Sequence, residues 1–322
     1  WTLKSIQDSL MELHTLKTEN VYDLLITYQK VAPHAFPYLT MMSLRILELH
    51  RVLKPTGSFY LHCDPTMSHY LKSVCDVIFS AKHFQNEIIW KRTSGHSDAK
   101  GYGSAHDVIL YYGKTEKLLW NKIFQKYNQE YVNQYYRYQD EDGRRWMSGD
   151  LSAAGLTGGG YEYVWKGVKR VWRMPLNKMK ELDSNGKIYY TKNGIPRLKR
   201  YLDEMEGIPC QDNWDDIEAL RSWHNERLGY PTQKPKALLE RIIKASSNAG
   251  DIVLDAFCGC GTTVDAAESL HRNWIGIDIS PIAISLIKRR LKDTYGESLN
   301  KFEIRGTPTD EHSAIELWKQ NP

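Results

Sequence analysis

Two carboxylates and a glycine-rich turn carry most of the chemistry that can be read from this chain. The string Asp255-Ala256-Phe257-Cys258-Gly259-Cys260-Gly261-Thr262-Thr263 follows a β-prone apolar run and opens a stretch with helical spacing. A strand-to-helix turn of this kind is where doubly wound α/β sheets hold ligands, at the carboxyl ends of their strands. Glycines at 259 and 261 permit close backbone approach. The dinucleotide fingerprint would require a third glycine where Val264 stands, so a pyrophosphate is disfavoured. Asp255, at the strand end, attracts an ammonium group better than a phosphate.

A second carboxylate, Asp278, ends the next apolar run, Trp274-Ile275-Gly276-Ile277. There it can accept hydrogen bonds from ribose hydroxyls, or simply cap the helix that starts near Pro281. An ammonium group together with a ribose fits S-adenosylmethionine. The elements that must position these groups are a strand at 251–255, a helix at about 263–270, a strand at 274–278, a helix from Pro281 to about Leu291 and a third strand at 301–305. Upstream, helical spacing over residues 1–53 ends at the breaker Lys54-Pro55-Thr56-Gly57. A strand at 58–63, a helix at about 66–79 and strands at 87–90 and 108–112 follow.

Composition limits the classes available. In 322 residues, 41% are hydrophobic and 25% charged, which suits a globular protein and excludes a fibrous or disordered one. No apolar run is long enough to span a membrane, and the first ten residues have no secretory signal, so a cytoplasmic location is expected. Five cysteines, Cys63, Cys75, Cys210, Cys258 and Cys260, form no CxxC pair, which argues against both a disulfide framework and a zinc site. Reduced thiols and no metal are expected. The net charge of +4 is unevenly spread: residues 91–200 hold 21 Lys+Arg against 11 Asp+Glu, interleaved with Tyr102, Trp120, Tyr135, Tyr136, Trp146, Trp165 and Trp172. A basic, aromatic-rich segment is what phosphate neutralisation and base stacking require; its plain alternative is a solvated basic surface.

The strings DAFCGCGTT and WIGIDIS, preceded by Leu228-Gly229-Tyr230-Pro231-Thr232-Gln233-Lys234-Pro235, resemble in content and order the N4-cytosine/N6-adenine DNA methyltransferases of the beta-arranged subgroup. LKPTGSFYLHCDP, NEIIWKRT and His106-Asp107 resemble strands and an element of the same family. The resemblance implies a Rossmann-like α/β methyltransferase sheet with S-adenosyl-L-methionine lined by Asp255, Phe257, Gly259, Gly261, Thr262, Thr263, Asp278, Lys234 and Pro235. It implies residues 1–90 and 223–322 as the two parts of the methyltransferase domain, and 91–222 as an inserted target-recognition region. Duplex DNA is the expected partner, with Lys91, Arg92, Arg144, Arg145, Lys169 and Arg170 as phosphate contacts and the loop Ser94–Gly103 near the target base. A homodimer and a restriction partner are open at this stage.

The family's catalytic tetrapeptide, Asp/Asn/Ser-Pro-Pro-Tyr/Phe/Trp, has no counterpart in this sequence. The nearest string, His62-Cys63-Asp64-Pro65-Thr66, has one proline and no aromatic in the fourth position, so Asp64 is read as a loop residue or one supporting the site from behind, with a degenerate catalytic acid as the alternative. The expectation is that the tetrapeptide lies before Trp1, that the strands at 252–255 and 59–62 are not hydrogen-bonded to each other, and that residues 1–322 alone bind cofactor poorly and catalyse nothing. The expected reaction of the whole enzyme is methylation of an exocyclic amine, adenine N6 ahead of cytosine N4. Two rivals stand beside it: a non-catalytic DNA-binding module, and an RNA or small-molecule methyltransferase, against which the basic segment counts.

Overall fold

The structure, a computed structural model, describes residues 3–15, 18–93, 101–153, 159–306, 308 and 311–320. Residues 94–100 of the loop expected near the target base lie outside the described residues. The chain forms two units, one made of residues up to Ile123 together with those from Gln211 onward, the other of Phe124–Cys210.

The first unit begins with α1 (Leu3–Thr15), α2 (Glu19–Val31) and α3 (Phe36–Val52), the last with a proline in its first turn, where the missing N–H costs nothing. Their shared core contains Leu13, Leu25, Leu39 and Ile46, all fully buried, each contributing roughly 1.5–3 kcal/mol by removal from water. The predicted turn at 54–57 closes with a bond from the Gly57 N–H to the Lys54 carbonyl and feeds β1 (Ser58–Cys63). Asp64 then caps α4 (Pro65–Cys75): its Oδ1 accepts the Thr66 and Met67 N–H groups. The next strands are β2 (Phe84–Lys91) and β3 (His106–Gly113). β3 is central, antiparallel to both β1 and β2. Its continuous apolar run is explained by burial on both faces, with Val108, Leu110 and Tyr112 packed into the helical core.

The second unit comprises β4 (Phe124–Gln125), α5 (Gln129–Tyr135), β5 (Tyr138–Gln139), β6 (Arg145–Asp150), β7 (Tyr161–Trp165), β8 (Val168–Trp172), α6 (Leu176–Ser184), β9 (Ile188–Tyr190), β10 (Pro196–Tyr201) and β11 (Ile208–Pro209). A sheet of order β5-β6-β10-β9 and the hairpin β7–β8 enclose Leu151, Trp165, Trp172, Met179 and Ile188. The hairpin turns on Lys166-Gly167, both at positive φ, as a right-twisted two-residue turn demands. Several aromatics of the basic segment are therefore core: Trp146, Trp165 and Trp172 are all buried. This unit is narrower than the 91–222 expected for the insertion, since β2 ends and β3 lies inside the first unit.

After the second unit the chain adds β12 (Asn213–Trp214), parallel to β2, and then α7 (Lys236–Ser246), β13 (Ile252–Asp255), α8 (Thr262–Ser269), β14 (Asn273–Gly276), α9 (Pro281–Tyr295) and α10 (Glu311–Gln320). β13 and β14 pair in parallel, Ile252 opposite Asn273 through Asp255 opposite Gly276, with α8 as the crossover. Each of the predicted strand-helix-strand-helix elements is present. The expected third strand at 301–305 is not: the segment has no ladder, and Phe302 instead lays its ring against Trp274 at 5.6 Å. Charges at Lys301, Glu303 and Arg305 leave too little apolar surface to pull the backbone into the sheet. Among the described residues β1 pairs only with β3 and β13 only with β14, in separate sheets, as expected for those two strands.

Candidate functional site

The glycine loop is held by the two carboxylates that the sequence singles out. Asp255 accepts the Phe257 N–H at 3.0 Å on one oxygen and the Thr263 hydroxyl at 2.5 Å on the other. Asp278 accepts the Gly259 N–H and the Ser280 N–H, both at 2.8 Å. Backbone bonds from Cys258 to the Ile277 carbonyl and from Ile277 to the Asp255 carbonyl stitch the loop onto the continuation of β14. Both carboxylates thus sit at the same end of the parallel pair. Ser280, not Asp278, occupies the cap position of α9.

The two glycines have packing reasons of their own. Gly261 has φ +77°, and a Cβ there would lie 2.5 Å from Ile287 Cγ1 on α9; at Gly259, φ +50°, it would meet the Tyr230 ring at 3.0 Å. Thr262 is 6% exposed and receives a hydrogen bond from Arg290, so its side chain faces the interior. Phe257 is half exposed and Ile279 fully so, an apolar rim on a turn that is otherwise polar. Burial, helped by Asp255 and Asp278, pushes the Cys258 thiol up to about 12, which makes it inert at neutral pH.

The segment Leu228–Pro235 is folded by Gln233, which accepts the Leu228 N–H at 2.8 Å and donates to the Glu226 carbonyl at 2.7 Å. Tyr230 reaches the glycine loop and buried Pro235 starts α7. Lys236, rather than Lys234, binds α8, through Asp265 at 2.7 Å. Lys234 was expected in one cavity with Asp255 and Asp278. It lines a cavity of about 480 Å³ bounded by Tyr38, His62, Arg92 and Asp107, to which Cys63, Asp64 and Met67 also contribute; no glycine-loop residue belongs to that lining.

In this cavity the 4% exposed carboxylate of Asp107 is claimed by His62 Nε2 at 2.8 Å and Arg92 Nη1 at 3.1 Å. Burial favours a protonated Asp107, but the His62 hydrogen bond and the charges of Arg92 and Lys234 prevail and hold it below the usual carboxylate value. Burial holds His62 below its ordinary value in spite of Asp107, so the ring is neutral at pH 7 and donates from Nε2. Burial likewise lowers Lys234. Trp90, whose indole donates to the Ile217 carbonyl, stands edge-on to His62 at 5.6 Å and fixes its ring. His62 and Tyr38 escaped the sequence reading. The signal present was a buried acid in an otherwise apolar run: His62 pairs with Ile109, which makes Asp107 its diagonal cross-strand neighbour.

The candidate DNA contacts divide. Lys91 and Arg170 are exposed, while Arg92 faces the cavity just described. Arg144 pairs with Asp203 and Glu204 at 2.9 Å and lies over the Tyr201 ring. Arg145 donates to the carbonyls of Tyr136 and Val132, and Lys169 pairs with Glu162 at 3.2 Å. Residues 124–210 hold 15 Lys+Arg against 11 Asp+Glu, so the basic excess extends beyond this unit into the first.

The N6/N4 DNA methylase family matches residues 34–289, and the chain belongs to that family. S-adenosyl-L-methionine is its methyl donor, on the α/β methyltransferase fold. The type II methyltransferase M.EcaI of Enterobacter cloacae is 33% identical over 279 residues, covering 82% of this chain and 61% of that protein. The DNA adenine methyltransferase YhdJ of Escherichia coli strain K12 is 30% identical over 247 residues, 76% of this chain and 64% of that one. The chain therefore spans less than two thirds of the length of these relatives. Among solved structures, the M1.HpyAVI–SAM complex is similar at 18% identity and a TM-score of 0.40, over 78% of this chain and 82% of that one.

Proposed function

We propose that the chain is the cofactor-binding and DNA-facing part of a site-specific DNA methyltransferase that moves the methyl group of S-adenosyl-L-methionine to an exocyclic amine of duplex DNA, adenine N6 in preference to cytosine N4. The observation that carries the reading is the glycine loop: two strand-end carboxylates organise its backbone while Phe257 and Ile279 remain exposed beside it. Those exposed apolar groups suit an adenine ring, Asp278 a ribose, and Asp255 with Gly259, Gly261 and Thr263 the methionine end. The preference for adenine is supported by the similarity to an enzyme named for adenine. Lys91 and Arg170 are the phosphate contacts that this reading favours, and the cytoplasm is where they would meet DNA. Because no Pro-Pro-aromatic tetrapeptide occurs in the 322 residues, we propose that this stretch alone binds cofactor weakly and transfers no methyl group.

The test is expression of the whole methyltransferase gene to which this stretch is proposed to belong, in a host without these modifications, followed by mass spectrometry of its digested DNA. N6-methyldeoxyadenosine is the expected product. N4-methyldeoxycytidine would move the target to cytosine, and an unmodified genome would overturn the reading.

A further inference from the structure

The cavity at the end of β1 gathers several titratable groups, and one of them is a base with a free lone pair. Asp107, 4% exposed, is claimed by both His62 and Arg92. Asp64 is exposed and commits Oδ1 to the N-terminus of α4. Burial, helped by Asp64 and Asp107, pushes the Cys63 thiol up to about 12, and burial raises Tyr38 as well, so both keep their protons at neutral pH. Lys234 and Arg92 are cations. His62 differs from all of these: burial, with the charges of Lys234 and Arg92, outweighs the pull of Asp107 and leaves the ring neutral. With the Nε2 hydrogen donated to Asp107 at 2.8 Å, the lone pair is on Nδ1. Among the described residues Nδ1 has no hydrogen-bond partner, and it is not closed off from solvent, so it opens onto the cavity that His62 lines. Trp90, edge-on at 5.6 Å, holds the ring in that orientation. A neutral imidazole oriented from behind by a carboxylate is the arrangement that general-base catalysis uses. The cavity is also near the glycine loop. Tyr230 lies against the loop and Lys234 lines the cavity, and the four steps of chain between them reach at most about 14 Å.

We propose that His62 is the proton acceptor of the methyl transfer and Asp107 its positioning residue, an inference that rests on the function proposed above. The lone pair of an exocyclic amine is spread into the base ring, which makes the nitrogen a weak nucleophile. As that pair forms the new N–CH3 bond, the S–CH3 bond breaks with its electrons left on sulfur, the sulfonium becomes a thioether and the nitrogen becomes cationic. Its proton passes to His62 Nδ1, which restores a neutral amine and leaves an imidazolium against Asp107. Arg92 and Lys234 disfavour that second charge, so the proton leaves for water through the open cavity and the base is regenerated.

The test is single-turnover methylation by the whole methyltransferase to which this stretch is proposed to belong, with S-adenosylmethionine labelled in its methyl group and genomic DNA from a host without these modifications. In the unaltered enzyme the rate should fall as pH drops below 6.5, following protonation of His62. His62→Gln should remove that acid limb and lower the rate at neutral pH by at least about a hundredfold, with cofactor affinity by calorimetry held within about twofold. Imidazole added to His62→Ala should restore part of the rate, which a purely structural histidine would not allow. An acid limb that survives His62→Gln, with or without loss of rate, overturns the proposal and leaves the proposed function standing; no labelled DNA from the unaltered enzyme overturns both. Should neither His62 variant fold, the unaltered enzyme decides. An acid limb that coincides with the His62 titration followed by NMR supports the proposal, and a limb elsewhere, or a level rate between about pH 5 and 8, overturns it.

Discussion

Replacing Gly261 by alanine tests whether the glycine loop is shaped by the helix behind it. Two costs add at this position. The backbone at φ +77° is left-handed, a conformation that costs an L side chain roughly 1–2 kcal/mol. The new methyl would also sit 2.5 Å from Ile287 Cγ1 and 3.3 Å from Ile287 Cβ and Cγ2, well inside contact distance. Ile287 is buried and β-branched, so it cannot swing away, and overpacking of this kind costs about 1–3 kcal/mol. The expected loss is therefore about 2–5 kcal/mol, read as a drop in urea midpoint at unchanged slope. Gly250→Ala is the control: φ is +83° but nothing lies within 4 Å, so only the strain of about 1–2 kcal/mol should appear. Adding Ile287→Ala to Gly261→Ala should recover the steric part as a coupling of about 1–3 kcal/mol. A loss at Gly261 no greater than at Gly250, or a cycle with no coupling, would refute the reasoning and make Gly261 a glycine for the ligand's sake alone.

Two further outcomes are expected. Arg170→Gln should weaken DNA binding and reduce the salt slope by about 1, whereas Arg145→Gln, which frees two backbone carbonyls, should mainly lower stability; fluorescence titration across salt concentrations checks the first and thermal unfolding the second. Because the folded chain holds His62 below its ordinary value of 6.5, the unfolded chain binds more protons as pH falls through that value. Stability should therefore decline as pH falls through about 6.5, and His62→Gln should flatten that decline, with a same-signed part due to His50, also held low by burial, remaining. An unaltered slope in the variant would show that His62 does not titrate as argued.

What could be read from the residues was whatever is local. The glycine loop, both carboxylates and the alternation of strand and helix from 252 to 295 follow from periodicity and turn chemistry within a few dozen residues. Asp64, read from the sequence as a loop residue, instead caps α4, although an acid before proline at a strand end is the signature of a helix start. What escaped depends on pairing between distant strands. His62 and Asp107 meet only because β1 and β3 run antiparallel with one register, and a one-residue slip would turn them to opposite faces. The same limit explains Arg144 and Arg145. In sequence they are a bare basic doublet; the partners of Arg144, at 203–204, are known only once β6 and β10 are aligned, and those of Arg145, at 132 and 136, only once β5 and β6 are. The strand expected at 301–305 failed for a related reason, since β propensity is decided by available partners.

The pairing of β4 with β11 has an evolutionary reading. Phe124 opposite Pro209 and Gln125 opposite Ile208 bring the entry and exit of the second unit side by side, and Gly207 is needed there because a Cβ would collide with the Gln125 carbonyl. Joining the ends of an excursion this long costs an unstructured loop on the order of 4 kcal/mol. Here the excursion closes itself. Such a cassette can be exchanged, lengthened or rebuilt by recombination at two adjacent points, with the fold of the unit that carries the glycine loop left untouched.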